Sequence, residues 1–167
     1  MKQFLMAAGA LALIATATMS DAYAGNRSWV QQYGTYNGEA SAQKGKRNKE
    51  VTYQRGRHNE ANTVQTGRRN SSNTTQEGRY NRALTDQLGR LNFAVTGQSG
   101  RRNQATTIQT GDGNIAGTAQ IGSGLEATTV QQGHDNASGT IQVGHGHTSE
   151  VRQRGTGNVS LTIQSTR

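Results

Sequence analysis

Apolar and polar residues do not gather into separate stretches along most of this chain; they recur. Two and four residues after successive asparagines stand Ala61 and Thr63, Ala83 and Thr85, Ala94 and Thr96, Ala105 and Thr107. The positions between them range from Glu60 and Arg82 to Phe93 and Ile115. A period of two places these sets on opposite faces of a strand. The uniform set predicts the inward face, because a stacked interior must match from rung to rung, and the variable set predicts the outward one. The alternation is interrupted at Gly-x-x-Asn, which predicts a tight turn, since glycine and asparagine reach positive φ at low cost. The five residues from each Asn to the next Gln, rich in Thr, Val, Ile, Leu and Tyr and free of proline, predict a short strand.

The interval is eleven residues and is never broken by an insertion or deletion. One column holds Gln32, Gln43, Gln54, Gln65, Gln76, Gln87, Gln98, Gln109, Gln120, Gln131, Gln142, Gln153 and Gln164. Two residues later stand Gly34, Gly45, Gly56, Gly67, Gly78, Gly89, Gly100, Gly111, Gly122, Gly133, Gly144 and Gly155. Five residues after the glutamines stand Asn37, Asn48, Asn59, Asn70, Asn81, Asn92, Asn103, Asn114, Asn136 and Asn158, with Leu125 and His147 breaking the column. A fixed period of this kind specifies an array. One strand and one turn per unit, and two units per 22-residue coil, predict an all-β chain: a β-solenoid of about six coils over residues 32–167, stacked roughly 4.8 Å apart in cross-β fashion. Residues 1–24 read as an export signal, with Lys2 supplying charge, Phe4 to Met19 an apolar stretch and Ala22-Tyr23-Ala24 a small-x-small cleavage site. Residues 25–31 are expected to form a short segment ahead of the repeat.

The predicted interior is thin, and two pairs of polar columns replace most of a hydrocarbon core. A buried amide is costly unless bonded, but identical amides one rung apart can donate and accept along the stack. Two positions depart from the small-residue rule: Glu39 and Glu50 occupy it in the first units, and two facing buried carboxylates require one to take up a proton or turn outward. At the other end, Val159, Leu161 and Ile163 are apolar at outward positions, which predicts that this strand packs on something.

Composition sharpens this picture. Only 31% of residues are hydrophobic, Trp29 is the single tryptophan, and cysteine is absent, so neither a large core nor disulfides hold the fold. Such composition suits a chain that orders on assembly. The net charge of +8 is lopsided: residues 25–103 carry +9 and residues 104–167 carry −1. The cations cluster between Gly and Asn, as Lys46, Arg47, Arg57, Arg68, Arg69, Arg79, Arg90, Arg101 and Arg102. Alternate units fall on opposite edges of a coil, giving two rails that could bind extracellular DNA, lipopolysaccharide or anionic polysaccharide with strong salt dependence. Charge at such edges equally serves solubility and protection from premature pairing.

The repeat resembles the curlin repeat, the unit of curli amyloid fibres of Gram-negative bacteria. The likeness runs from Gln32 to Gln164: Gln32-Tyr33-Gly34-Thr35-Tyr36-Asn37 fits Gln-x-Gly-x-x-Asn, and the units beginning at Gln65 and Gln109 extend it by x-Ser and x-Ala. The resemblance implies a secreted structural subunit, passed through a dedicated outer-membrane pore and polymerising end to end at the cell surface with other curli-like subunits, for adhesion and biofilm matrix. The main subunit of that family carries a Gly-rich segment before its first repeat, whereas here Gly25 to Gln31 precede it; the basic bias is closer to the minor, nucleating subunit. Both subunit roles stay open. A rival of another class is a soluble Thr-rich solenoid, such as an ice-binding protein, which needs the threonine column to face outward.

No nucleophile, base and orienting group can be assembled, so an enzyme, a cofactor and a small-molecule substrate are not expected. His145 and His147 form a His-x-His pair of the kind that binds metal, but read more simply as a turn residue and an occupant of an Asn slot, so no metal site is expected.

Overall fold

The computed structural model describes residues 25–166. The expected export signal, residues 1–24, lies outside them. The described residues form thirteen strands: β1 (Arg27–Thr35), β2 (Gly38–Lys46), β3 (Lys49–Arg57), β4 (Glu60–Arg68), β5 (Ser71–Arg79), β6 (Arg82–Arg90), β7 (Phe93–Arg101), β8 (Gln104–Asp112), β9 (Ile115–Ser123), β10 (Glu126–His134), β11 (Ala137–His145), β12 (Thr148–Thr156) and β13 (Val159–Ser165). Odd strands make one seven-stranded sheet and even strands one six-stranded sheet, each stacked in chain order. All pairing is parallel, and every partner lies 22 residues away, as in Gln54↔Gln76 and Gln65↔Gln87. The chain is therefore a β-solenoid of about six coils, as the eleven-residue period predicts.

The strands are longer than expected. Each of β1 to β12 spans nine residues, because the ladder continues through Gln and Gly to the residue beyond. Two residues suffice for a corner, as His58 and Asn59 between β3 and β4. The first corner residue sits at φ +54 to +59 where it is not glycine, and its N–H still bonds to the coil before, as His58 N donates to Thr35 O at 3.1 Å. The conserved-in-register glycine is thus a strand residue rather than a turn residue. Its φ of +110 to +141 bends the strand inward, and a Cβ on Gly56 would stand 1.9 Å from Gly78 O. Close approach of successive backbones excludes any side chain there.

The segment expected to precede the repeat also belongs to it. Arg27 to Gln31 form the front of β1 and pair with Lys49 to Tyr53.

The inward assignment holds from β3 to β12. Ala61, Ala83, Ala94, Ala105, Ala116 and Ala127 are buried, as are Thr52, Thr63, Thr74, Thr85 and the interior glutamines and asparagines. Among the described residues only Leu125 and Val151 add larger apolar groups. Burial of methyl groups worth about 0.8 kcal/mol each cannot alone hold such an interior. The backbone ladders and the amide columns supply what hydrocarbon does not.

Candidate functional site

The glutamine column is a continuous hydrogen-bonded wire within each sheet. Gln54 Nε2 donates to Gln76 Oε1 at 2.7 Å, Gln76 Nε2 to Gln98 Oε1 at 2.8 Å, and Gln98 Nε2 to Gln120 Oε1 at 2.8 Å. The second amide hydrogen crosses the core: Gln54 Nε2 reaches Gly38 O at 2.9 Å, joining β3 to β2. One side chain therefore binds both along the stack and between the sheets. The even-strand column does the same, from Gln43 through Gln65, Gln87, Gln109 and Gln131 to Gln153.

The asparagines close the corners. Asn70 Nδ2 donates to Thr66 O and Gly89 O, while Asn70 Oδ1 accepts the backbone N–H of Asn92 at 3.1 Å. That N–H belongs to the corner, where no strand partner reaches it, so the side chain completes the ladder. Leu125 keeps the backbone bond to Asn103 Oδ1 but passes none on, and His147 imitates the amide by placing Nε2 3.2 Å from Val143 O. His145 Nδ1 lies 3.2 Å from Ser123 Oγ, so the two histidines serve different partners. Among the described residues no group of three metal-ligating side chains converges.

The column begins one unit earlier than expected. Asn26 Oδ1 accepts the N–H of Asn48 at 3.0 Å, and Asn26 Nδ2 donates to Gln43 O. Its place, eleven residues before Asn37, was the signal in the sequence, hidden because Gln32 was taken as the origin of the count.

The two corners of the coil differ. At the corner after even strands, Lys46, Arg68 and Arg90 stack in register and end on Asp112. With Arg47, Arg69 and Leu91 they line an open hollow of about 560 Å³. Arg90 Nη2 meets Asp112 Oδ2 at 2.7 Å, and this hydrogen bond lowers the Asp112 carboxyl and raises the Arg90 guanidinium from their ordinary values. The corner after odd strands stacks Arg57, Arg79 and Arg101, with Arg102 beside them. Next to that rail Tyr36, His58 and Tyr80 form an aromatic column, with ring centroids 5.0 and 4.8 Å apart. The shared place of the three rings, 22 residues apart, was the signal for this column in the sequence.

Glu39 and Glu50 do meet near the core. Glu50 is fully buried and accepts hydrogen bonds from Ser28 Oγ and, at 2.7 Å, from Thr52 Oγ1. Glu39, less enclosed, is pushed up to about 7 by burial first and by the Glu50 charge second.

Comparison with known proteins finds no family model that matches the chain and no curated protein that matches it.

Proposed function

We propose that this chain is a secreted structural subunit that polymerises end to end into cross-β fibres of the curli type, serving adhesion and biofilm matrix at the cell surface. The observation that carries this reading is the polarity of the amide wires. Each glutamine of the column from Gln32 to Gln142 donates Nε2 to the glutamine 22 residues later, so among the described residues Gln32 and Gln43 end on free Oε1 acceptors. Gln153 and Gln164, at the opposite end, carry Nε2 donors with no further glutamine to meet. One end of the solenoid is complementary to the other, and the open backbone edges of β1 and β2 face those of β12 and β13 with the same geometry. Stacking a second copy continues the pattern of the interior without new chemistry.

The threonine column, which a Thr-rich ice-binding surface would need outside, lies in the core. The repeat's resemblance to curlin supports the fibre reading further. It leaves main and nucleating subunit as alternatives, and export through an outer-membrane pore as part of the proposal.

The test is incubation of the mature chain, residues 25–167, at low salt with thioflavin fluorescence and fibre diffraction. Growth seeded by sheared fragments, with a reflection near the roughly 4.8 Å strand spacing, is the expected result. A monomer that persists for days at micromolar concentration refutes it.

A second reading is favoured by the hollow at Lys46, Arg47, Arg68, Arg69 and Arg90, whose cations repeat at the rung spacing and suit a polyanion such as anionic polysaccharide or extracellular DNA. Arg68→Glu with Arg69→Glu should then weaken binding of such a polymer and flatten its salt dependence by about two units of slope.

A further inference from the structure

The two outer faces of the solenoid have different chemistry, and one changes character midway. On the six-stranded sheet, outward charges pair, as Arg82 with Glu60 at 3.5 Å and Arg152 with Glu150. On the seven-stranded sheet, the outward positions of β1, β3 and β5 include Arg27, Lys49, Arg55 and Glu77. Those of β7, β9, β11 and β13 hold no charged side chain short of the corner residue Arg101. Large apolar groups stand open there, including Ile115 at 51%, Leu161 at 68% and Ile163 at 64% exposure.

This patch has relief. Register places Gly117, Gly139 and Leu161 in one column and Ala119, Ile141 and Ile163 in the next. On β7, Gly97 pairs with Ala119, while Val95 pairs with Gly117 and bounds the hollow on that side. A hollow centred on β9 therefore lies two rungs from a ridge on β13, with β11 between them. We infer that a second copy of this chain docks on this face, about a two-fold axis that runs along β11 in the plane of contact. That operation keeps strand directions parallel and reverses the stacking direction, so β13 of each copy lies over β9 of the other. Leu161 then faces Gly117, Ile163 faces Ala119, and the contact is isologous.

The size of the patch decides when the contact forms. Four strands at roughly 4.8 Å and seven residues at roughly 3.3 Å cover about 450 Å². That is within the roughly 300–600 Å² of the largest patch on an ordinary monomer and below the roughly 800 Å² per partner of a stable interface. Isolated copies gain too little to stay paired, whereas in a filament, where β1 of each copy stacks on β12 of the copy before, the patch recurs on a given side at every second subunit, and the contacts sum. The inference thus rests on the fibre reading and adds lateral pairing of antiparallel filaments, through one half of one sheet.

A ridge-for-hollow exchange tests it. Gly117 lies outside the positive-φ region, and a Cβ there would meet nothing nearer than Ser138 O at 3.9 Å, so its own strand accepts a larger residue. Filament width in negative stain and seeded elongation are measured for wild type, Gly117→Leu, Leu161→Gly and the double variant. Wild type should give twinned filaments, each single variant lone filaments that elongate normally, and the double variant twins again, because the new leucine faces the new glycine. Lone wild-type filaments, twinning that survives Gly117→Leu, or a double variant that stays lone overturns the inference and leaves the fibre reading standing. Failed elongation of Gly117→Leu overturns it too, since the side chain would then be inside. The absence of any fibre removes both readings together.

Discussion

The coils before Arg102 and those after it share one interior and differ in almost everything outside it. Both halves stack Gln on Gln at 2.6 to 2.9 Å and bury the same Ala, Ser and Thr positions. The first half turns its corners with Tyr36, Arg47, His58, Arg69, Tyr80, Leu91 and Arg102, all at positive φ; the second uses Gly113, Gly124, Gly146 and Gly157, with Asp135 as the exception. A non-glycine residue in that region costs on the order of 1 kcal/mol. The first half therefore accepts strain to place cations and rings at its corners, while the second relaxes its corners and exposes an apolar sheet. The interior specifies the fold, and the outside is free to be specialised along the axis.

The sharpest test of the shared interior is the glycine column. Gly78→Ala, whose Cβ would meet Gly100 O at 2.0 Å, and Gly122→Ala, meeting Gly144 O at 1.9 Å, should each lose at least about 4 kcal/mol in urea unfolding. Unequal losses would show that the halves differ inside as well. Next in size, Gln76→Ala and Gln120→Ala should each cost about 2–4 kcal/mol, because the amide below and the carbonyl across the core both lose a partner. Gln164→Ala, at the end of its column, should cost about 1 kcal/mol or less by the same measurement.

The two ends sharpen the comparison through pH. Burial, with the Glu50 charge second, pushes the Glu39 carboxyl from its ordinary 4.5 up to about 7, so the folded state holds its proton more tightly. The stability this group contributes is complete below pH 4.5 and is lost as pH rises through about 7. After allowance for solvent screening, the loss is about 1–2 kcal/mol, confined to the coil containing β2. Hydrogen-exchange protection factors, which correct for the intrinsic pH dependence of exchange, should be higher in β1 and β2 at pH 5 than at pH 8, with those of β7 to β11 unchanged, and Glu39→Gln should abolish the difference. Smallest of all, Leu91→Gly should stabilise by about 0.5 kcal/mol, the relief of φ strain being partly offset by unfolded-state entropy. The reverse change, Gly146→Leu, should destabilise by about 1 kcal/mol in the same thermal melts. Equal small effects of one sign would break the contrast between corners.

The site was legible to different depths for identifiable reasons. The Gln, Gly and Asn columns were visible because each position repeats its environment every 22 residues, so the sequence repeats its answer. Glycine's place was read correctly and its reason was not: adjacency to Asn suggested a turn, whereas the cause is a carbonyl one coil away, 22 residues off in sequence. Asn26 escaped because the unit was phased on glutamine, and β1 was shortened for the same reason.

The sequence by itself determined the period, the inward face, the number of residues per coil and the lopsided charge. These follow from alternation and repetition, which are local properties of a strand and its neighbour. The tertiary structure alone decided what the corners bring together. It set one cation rail beside a stack of Tyr36, His58 and Tyr80, and bent the other into a hollow that ends on Asp112. How close those side chains come depends on how the backbone closes each coil, a matter of geometry that the period leaves open.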